Sequence, residues 1–423
     1  MFIVMGSLWC WSVNAQENRL LDKFNIHGSV SVGYLETTNG NNLMRTETSD
    51  GTWRFHEILL NSSYNITDTL LVRAQLISRV YLEFGNNNPQ LDWGFIQYQP
   101  VDWVGARLGR VKNAPGLYGD IWDVDVARVT PLMPMSTYNN ALRDFMISAD
   151  GVQLFGNVEL GSLGSIEYQA AAGYKKGADE DTGMEYYFEV NSSQRTEYDD
   201  GIRARIYGAS LKWETPLDGL RLVGSFIQAR DPNADLTAVK DYTIMLTVMP
   251  GVTIPYTVYS AGDTLAVDGV SISFTNIGAE YLYEDWGFSL EYFGARVKDF
   301  TVTHKQSNTV LETVGYISGG YNLQVTRTMG ENLQLAAGFG QYFTDWTERF
   351  DIDASARDGS GKAARQDIYL AAKYNITDAL FVKVGVHSLR GKFELSTDAN
   401  SRYGVYDADP RYWLYAFKLT YTF

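Results

Sequence analysis

The chain of 423 residues carries one cysteine, Cys10, and four histidines, His27, His56, His304 and His387. A lone thiol excludes an intrachain disulfide and a Cys-ligated zinc site. The histidines share no short spacing of the kind that assembles a ligand set, so no metal centre and no cofactor are implied. Basic residues are in deficit: 35 Lys and Arg against 50 Asp and Glu give a formal net charge of −15. That balance argues against nucleic acid, which requires a basic face. Beyond the first thirteen residues no stretch approaches the ~20 consecutive apolar residues of a membrane-spanning helix. The Gly-x-Ser-x-Gly elbow of serine hydrolases is absent. A soluble chain of this length is expected to split into about two or three domains. No linker, low-complexity tract or composition break marks such a split, which favours one large closed sheet.

Aromatic residues, in contrast, are abundant: 28 Tyr, 20 Phe and 10 Trp. The last strand shows how they are used. In Arg411-Tyr-Trp-Leu-Tyr-Ala-Phe-Lys-Leu-Thr-Tyr-Thr-Phe423, alternate positions Trp413, Tyr415, Phe417, Leu419, Tyr421 and Phe423 are apolar. The interleaved Tyr412, Leu414, Ala416, Lys418, Thr420 and Thr422 are mostly small or polar. Successive strand side chains point to opposite faces, so one face is greasy while the other can be wet. Lipid on one side and a polar lumen on the other demand this alternation. A soluble sandwich strand alternates too, but not through six aligned apolar positions ending at the carboxylate.

The start reads as an export signal. Residues 2–13 form an apolar core, Val13-Asn14-Ala15 fits the small-x-Ala cleavage rule, and Gln16 is the expected mature start. Residues 1–15 are thus expected to be removed, Cys10 with them. The core lacks the usual preceding Lys or Arg, so the true start codon could lie upstream.

Turns and polar stretches alternate along the rest. Short turns rich in Asn, Asp, Gly and Pro fall at 65–68, 100–102, 160–163, 215–219, 284–285, 327–330 and 375–378. Longer polar stretches lie near 36–52, 84–89, 113–145, 177–200, 231–270, 300–312, 345–364 and 391–410. The segments between read as strands at 24–35, 53–65, 69–83, 90–100, 103–112, 146–159, 164–176, 201–214, 220–230, 271–284, 286–299, 313–326, 331–344, 365–375, 379–390 and 411–423. The expected fold is all-β: a transmembrane antiparallel barrel of about sixteen strands over 16–423, with both ends on the short-turn side. Tyr242 to Tyr259 reads strand, turn, strand and would raise the count to eighteen. Its alternation is poor and Pro255 interrupts it, so it is assigned to a hairpin within an external loop.

The terminal strand resembles the signature by which Gram-negative outer-membrane barrels are recognised. The resemblance implies outer-membrane lipids as surroundings and the barrel-assembly machinery as a partner of the Phe423 strand. The whole resembles sixteen-stranded trimeric porins, nearest to the phosphate-selective-porin-like group. The local resemblance rests on the basic strand 105–112, Pro115-Gly-Leu-Tyr118, Arg143-Asp144-Phe145 and Ser148-Ala-Asp-Gly151. It implies a homotrimer in which 113–145 folds inward as a constriction, its acidic groups facing a basic wall.

Strand parity supplies the wall. Arg73, Gln75, Arg79 and Glu83 alternate with apolar residues, as do Arg107, then Arg203, Arg205 and Tyr207, then Lys383 and His387, and finally Lys418. A charge facing lipid at mid-depth costs ~2–4 kcal/mol, so these are expected to point inward. With Asp120, Asp123 and Asp125 of the loop, the candidate pore-lining set is Arg73, Arg79, Arg107, Asp120, Asp123, Asp125, Arg203, Arg205, Lys383 and Lys418. Taken singly, each is read first as a solvated lumen residue. Arg110 and Lys112 fall at the strand rim and suit either the constriction or lipid headgroups. The aspartates, or Asp231 with Asp235, could take calcium, though loop carboxylates are ordinarily just solvated. A phosphate filter needs concentrated Lys and Arg, whereas this loop is acidic. The expected function is a porin for passive diffusion of small hydrophilic solutes and ions. The alternatives are a channel for an anion or small organic acid, and a barrel enzyme or adhesin.

Overall fold

The computed structural model describes residues 23–176, 196–198, 201–249, 252–344, 365–395, 400–402, 405–406 and 408–423. The expected signal at 1–15, the start at Gln16, most of the 177–200 stretch and all of 345–364 lie outside the described residues.

Sixteen antiparallel strands form the wall: β1 (Phe24–Thr37), β2 (Phe55–Asn65), β3 (Leu70–Tyr81), β4 (Gln90–Val101), β5 (Val104–Lys112), β6 (Ser148–Glu159), β7 (Ser165–Lys176) and β8 (Arg203–Glu214) come first. Then follow β9 (Leu220–Ala238), β10 (Ser271–Tyr283), β11 (Trp286–His304), β12 (Thr309–Met329), β13 (Leu333–Phe343), β14 (Arg365–Asn375), β15 (Leu380–Gly391) and β16 (Arg411–Thr422). Each pairs with its sequence neighbours, and β16 pairs back onto β1 from Ser29↔Thr422 to Thr37↔Leu414. The barrel is therefore closed. Closure removes every sheet edge, which the hydrocarbon interior requires because no water is there to satisfy free N–H and C=O groups. The final residue takes part: Gly28 and Phe423 exchange backbone hydrogen bonds of 2.9 and 3.0 Å.

The outer surface is a hydrophobic band. Val30, Ile58, Ile96, Leu108, Val152, Leu154, Leu211, Ile277, Leu290, Leu323, Leu370 and Val384 all lie exposed. Aromatic rings flank the short-turn end of the band, among them Tyr98, Trp103, Tyr283, Trp286, Tyr374, Tyr421 and Phe423. A soluble monomer rarely exposes so large a continuous apolar surface. With aromatic girdles it fits lipid. No described helix is long and apolar enough to cross a membrane, and the strands do the crossing.

Two expected loops are partly strand. β9 continues to Ala238 and β11 to His304, while β12 begins at Thr309, leaving only a tight turn at 305–308. Bulges hide this continuation in the sequence. The register shifts between Arg230 and Asn233 and between Val297 and Phe300, where Asp231 and Asp299 adopt φ of 48° and 47°. Each extra residue inverts parity. Inward residues are therefore odd-numbered below the bulge (Ile227, Ala229) and even-numbered above it (Ala234, Leu236, Ala238), where they join a buried apolar cluster. The segment Thr264–Asp268 pads this wall by pairing with β9 and β11. Tyr242–Met249 and Val252–Tyr259 form a separate two-stranded hairpin outside the barrel sheet, which fixes the count at sixteen.

Candidate permeation site

The connection from β5 to β6, residues 113–147, turns into the barrel. Three single turns of 3-10 helix (Gly119–Ile121, Asp125–Ala127, Asn140–Leu142) and a short helix, Arg143–Met146, give it local structure. Its start is fixed where Asn113 N–H donates to the Ile147 carbonyl at 2.7 Å. From there its contacts run around much of the circumference.

On the β9–β11 side, Gly116 N–H donates to Ser225 Oγ at 2.9 Å and Leu117 N–H to Glu291 Oε1 at 2.9 Å. The Tyr138 hydroxyl donates to the same Glu291 oxygen at 2.7 Å, and the Tyr118 hydroxyl donates to Ser289 at 3.1 Å. Gly116 has φ of +69°, and a Cβ there would collide with the Glu291 carboxylate, so only glycine lets the loop tip sit this close.

Asp125 occupies the β14–β16 side. Lys383 Nζ donates to its carbonyl at 2.6 Å and to Oδ1 at 3.0 Å, Thr420 donates to Oδ2 at 2.6 Å, and Lys418 stands 3.3 Å from Oδ1. Arg128 adds an ion pair at 2.9 Å, and Lys373 Nζ donates to the Val126 carbonyl at 2.6 Å. Burial alone would raise the Asp125 carboxyl's affinity for a proton. Lys383, Lys418 and Arg128 outweigh it and hold the group far below the usual carboxylate range.

The third anchor surrounds Arg143, a fully buried cation. Its guanidinium reaches Asp92 of β4 through two bonds of 3.0 and 2.7 Å. It also meets Asp123 at 2.7 and 2.6 Å and Asp144 at 2.7 Å. Arg79 closes the group by pairing with Asp144 at 2.8 Å, and Gln75 donates to Asp92 at 2.8 Å. Burial pushes the Asp144 carboxyl up, but Arg79 and Arg143 prevail and bring it down to about 2. Asp123 is likewise opposed by burial and is lowered by Arg143, Lys112 and Arg79. A buried pair is costly unless geometry and hydrogen bonding are complete, and here nearly every carboxylate oxygen is matched.

The sequence-derived candidates thus separate into three groups. Asp123, Asp125, Lys383 and Lys418 are buried in the anchors, and Arg79 serves them. Asp120 pairs with Lys212 and marks a fourth contact with the wall. The three loop aspartates therefore reach three different partner sets, and no group of metal-ligating side chains occurs among the described residues.

Arg73 and Arg107 belong to the lumen wall on the short-turn side of the loop. Arg107 lies over the rings of Phe155 and Phe95 at 4.0 and 4.9 Å, with Nε donating to Gln97 at 2.8 Å and Nη1 to Gln153 at 2.7 Å. It borders a 260 Å³ cavity shared with Gln99, Glu167, Gln169, Lys212 and Glu214.

Arg203 and Arg205 correct the parity expectation: both point away from the lumen. The residues between and beside them, Ile202, Ala204 and Ile206, are the inward ones and are buried against Phe145 and Met146 of the loop. Arg205 instead pairs with Asp231, and Arg203 lies 3.6 Å from Asp235, on the outer face. Where a loop fills the lumen with apolar side chains and the strand has risen above the lipid band, the polar face of the strand is the outer one. Tyr207 is exposed on that same outward face.

Several participants escaped the sequence reading: Asp92, Glu291, Lys212, Glu167 and Glu214. Glu291 sits between the outward Leu290 and Tyr292, and the parity argument used elsewhere would have found it. Arg143 was visible as part of a motif, but its role depends on Asp92, distant in sequence.

His387 Nδ1 lies 3.0 Å from both Asp367 oxygens inside the wall. His304 bridges Asp263 at 2.9 Å and Ser307 at 2.7 Å, closing the β11–β12 turn.

No family model matches the chain, and no curated protein matches it in sequence. Solved structures do match its architecture. One is the outer-membrane protein OmpT of Vibrio cholerae in its trimer form, with TM-score 0.53 at 10% identity over 95% of this chain and 99% of that one. An anion-selective porin from Comamonas acidovorans gives TM-score 0.53 at 12% identity over 95% and 99%. Salmonella typhi OmpF in complex with daunomycin gives 0.53 at 14% identity over 95% and 97%. The architecture of this chain is that of the outer-membrane porins.

Proposed function

We propose that this outer-membrane barrel is a porin, giving small hydrophilic solutes and ions a passive, water-filled path past the constriction formed by residues 113–147. The reading needs no covalent chemistry and no cofactor. One observation carries it: an inward loop tied to the wall by buried charge clusters, inside a closed barrel whose outer face suits lipid. Passive sieving requires a fixed narrowing, and a loop held this way is fixed. Residues 1–15 act as the export signal in this account, and the Phe423 strand presents the barrel to the assembly machinery. A homotrimer is supported by the trimer form of the similar Vibrio cholerae structure.

A track for one anion finds less support. It would require arginines in line from rim to rim, whereas Arg79 is paired with Asp144 and Arg203 and Arg205 lie outside. Arg73 and Arg107 remain, two strands apart. They bias a filter without forming a ladder.

Liposome swelling tests the proposal. Protein-containing vesicles should swell in isotonic sugars and amino acids at rates falling smoothly with solute size. Swelling confined to one solute would favour the specific channel, and no swelling with any solute would overturn the porin reading.

A further inference from the structure

The outer face of β8–β11 carries a second polar surface that permeation does not use. Cross-strand register aligns Arg205, Arg230, Ser271 and Lys298 in one row. The next row toward the short turns aligns Tyr207, Gln228, Ser273 and Arg296. All point outward, because their strand neighbours Ile206, Ala229, Ile272, Phe274 and Ala295 are buried in the inner cluster. Two further steps down, the same face presents Phe226 and then Leu211 and Ile277, the start of the lipid band.

Charge in these rows is unbalanced. Like charges directly opposite each other destabilise a sheet, yet Arg205 faces Arg230. Arg205 is neutralised by Asp231, while Asp235 is taken by Arg203 and by Lys305 at 2.7 Å. Arg230, Arg296 and Lys298 are exposed, and none has a carboxylate within ion-pair distance among the described residues. Asp299, exposed at the bulge beside Lys298, is the nearest carboxylate in sequence. Arg230 is held out over the Tyr207 ring at 5.7 Å and steadied by Gln228 at 2.7 Å. On a chain of net charge −15, a surface with three unmatched cations and hydroxyls between them is locally inverted.

We propose that Gln228, Arg230, Ser271, Ser273, Arg296 and Lys298 form a docking surface for the phosphate groups of an outer-leaflet lipid headgroup. The position selects the occupant. The patch lies just above the hydrocarbon band and faces away from the lumen, where a headgroup phosphate stands and a permeating solute does not. Guanidinium groups and an ammonium supply charge-assisted donors, and Ser271, Ser273 and Gln228 supply neutral ones. Basic residues at a membrane surface each add to the attraction for anionic lipid. The inference rests on the barrel standing in a membrane, not on what passes through it.

Native mass spectrometry of the detergent-solubilised protein tests it, with lipid A offered in bisphosphorylated and dephosphorylated forms. The wild type should retain the bisphosphorylated form selectively. The variant Arg230→Gln/Arg296→Gln/Lys298→Gln should bind it more weakly by roughly a hundredfold at low salt. Heat-modifiable electrophoretic mobility should be unchanged, which shows that the variant is folded whether or not the barrel conducts and separates this test from the porin reading. Equal retention of the two lipid forms by the wild type, or undiminished binding by a folded variant, would overturn the proposal.

Discussion

Arg143 shows how one side chain decides what the loop can do. It holds Asp92, Asp123 and the half-exposed Asp144 together, so losing it strands the two buried carboxylates Asp92 and Asp123. Arg143→Ala should destabilise the loop's seat by about 3–5 kcal/mol, since breaking a buried pair leaves an uncompensated charge. Proteolysis within 113–147 on the folded barrel, resisted by the wild type, would report it. The same cluster sets an acid limit. Asp144 has its carboxyl lowered from 3.8 to about 2. A depressed carboxylate contributes stability that is full above its unfolded value and lost as pH falls through the folded one. Loop anchoring should therefore weaken between about pH 4 and pH 2, read as a rise in channel noise, and remain constant from neutrality down to about pH 5. In the sequence, Arg143 stood out only as part of a motif. Its partner Asp92 lies 51 residues away, a separation that strand parity does not bridge.

Among elements, the tip of the loop and the terminal strand make separate predictions. The tip rests on Glu291, which accepts from Leu117 N–H and Tyr138 O–H. Glu291→Ala leaves the Leu117 N–H buried without an acceptor, at about 1–3 kcal/mol, and leaves the Tyr138 hydroxyl only the Pro115 carbonyl at 3.4 Å. The tip should loosen, with larger and noisier conductance. Glu291→Gln keeps an acceptor oxygen and should stay close to the wild type. The terminal strand was legible down to its parity: Trp413, Tyr415 and Tyr421 are exposed while Tyr412, Lys418 and Thr420 are buried. Phe423→Ser should lower the yield of assembled, heat-modifiable barrel in cells, with little change in conductance of what does assemble. The upper parts of β9 and β11 were not legible. One inserted residue at Asp231 and one at Asp299 invert the alternation, and an inverted pattern reads as a polar loop. Arg203 and Arg205 were misplaced for a related reason. Parity separates two faces but does not say which is wet, and lipid no longer decides that above the hydrocarbon band.

At the scale of the whole molecule, sixteen strands and closure followed from alternation, short turns on one side and long connections on the other. The interior was harder to read because it depends on contacts between distant segments: Asp125 with Lys383 and Thr420, Gly116 with Ser225, Asp120 with Lys212. These contacts tie the loop to several strands of the wall. On the porin reading proposed above, an open aqueous path remains beside the loop. Planar-bilayer recording of refolded protein under a KCl gradient tests it most directly. The recording should show discrete steps closing in thirds, a definite reversal potential, and a displacement of that potential toward cation preference in Arg73→Gln/Arg107→Gln. Well-folded protein that inserts and yields no steps would contradict it.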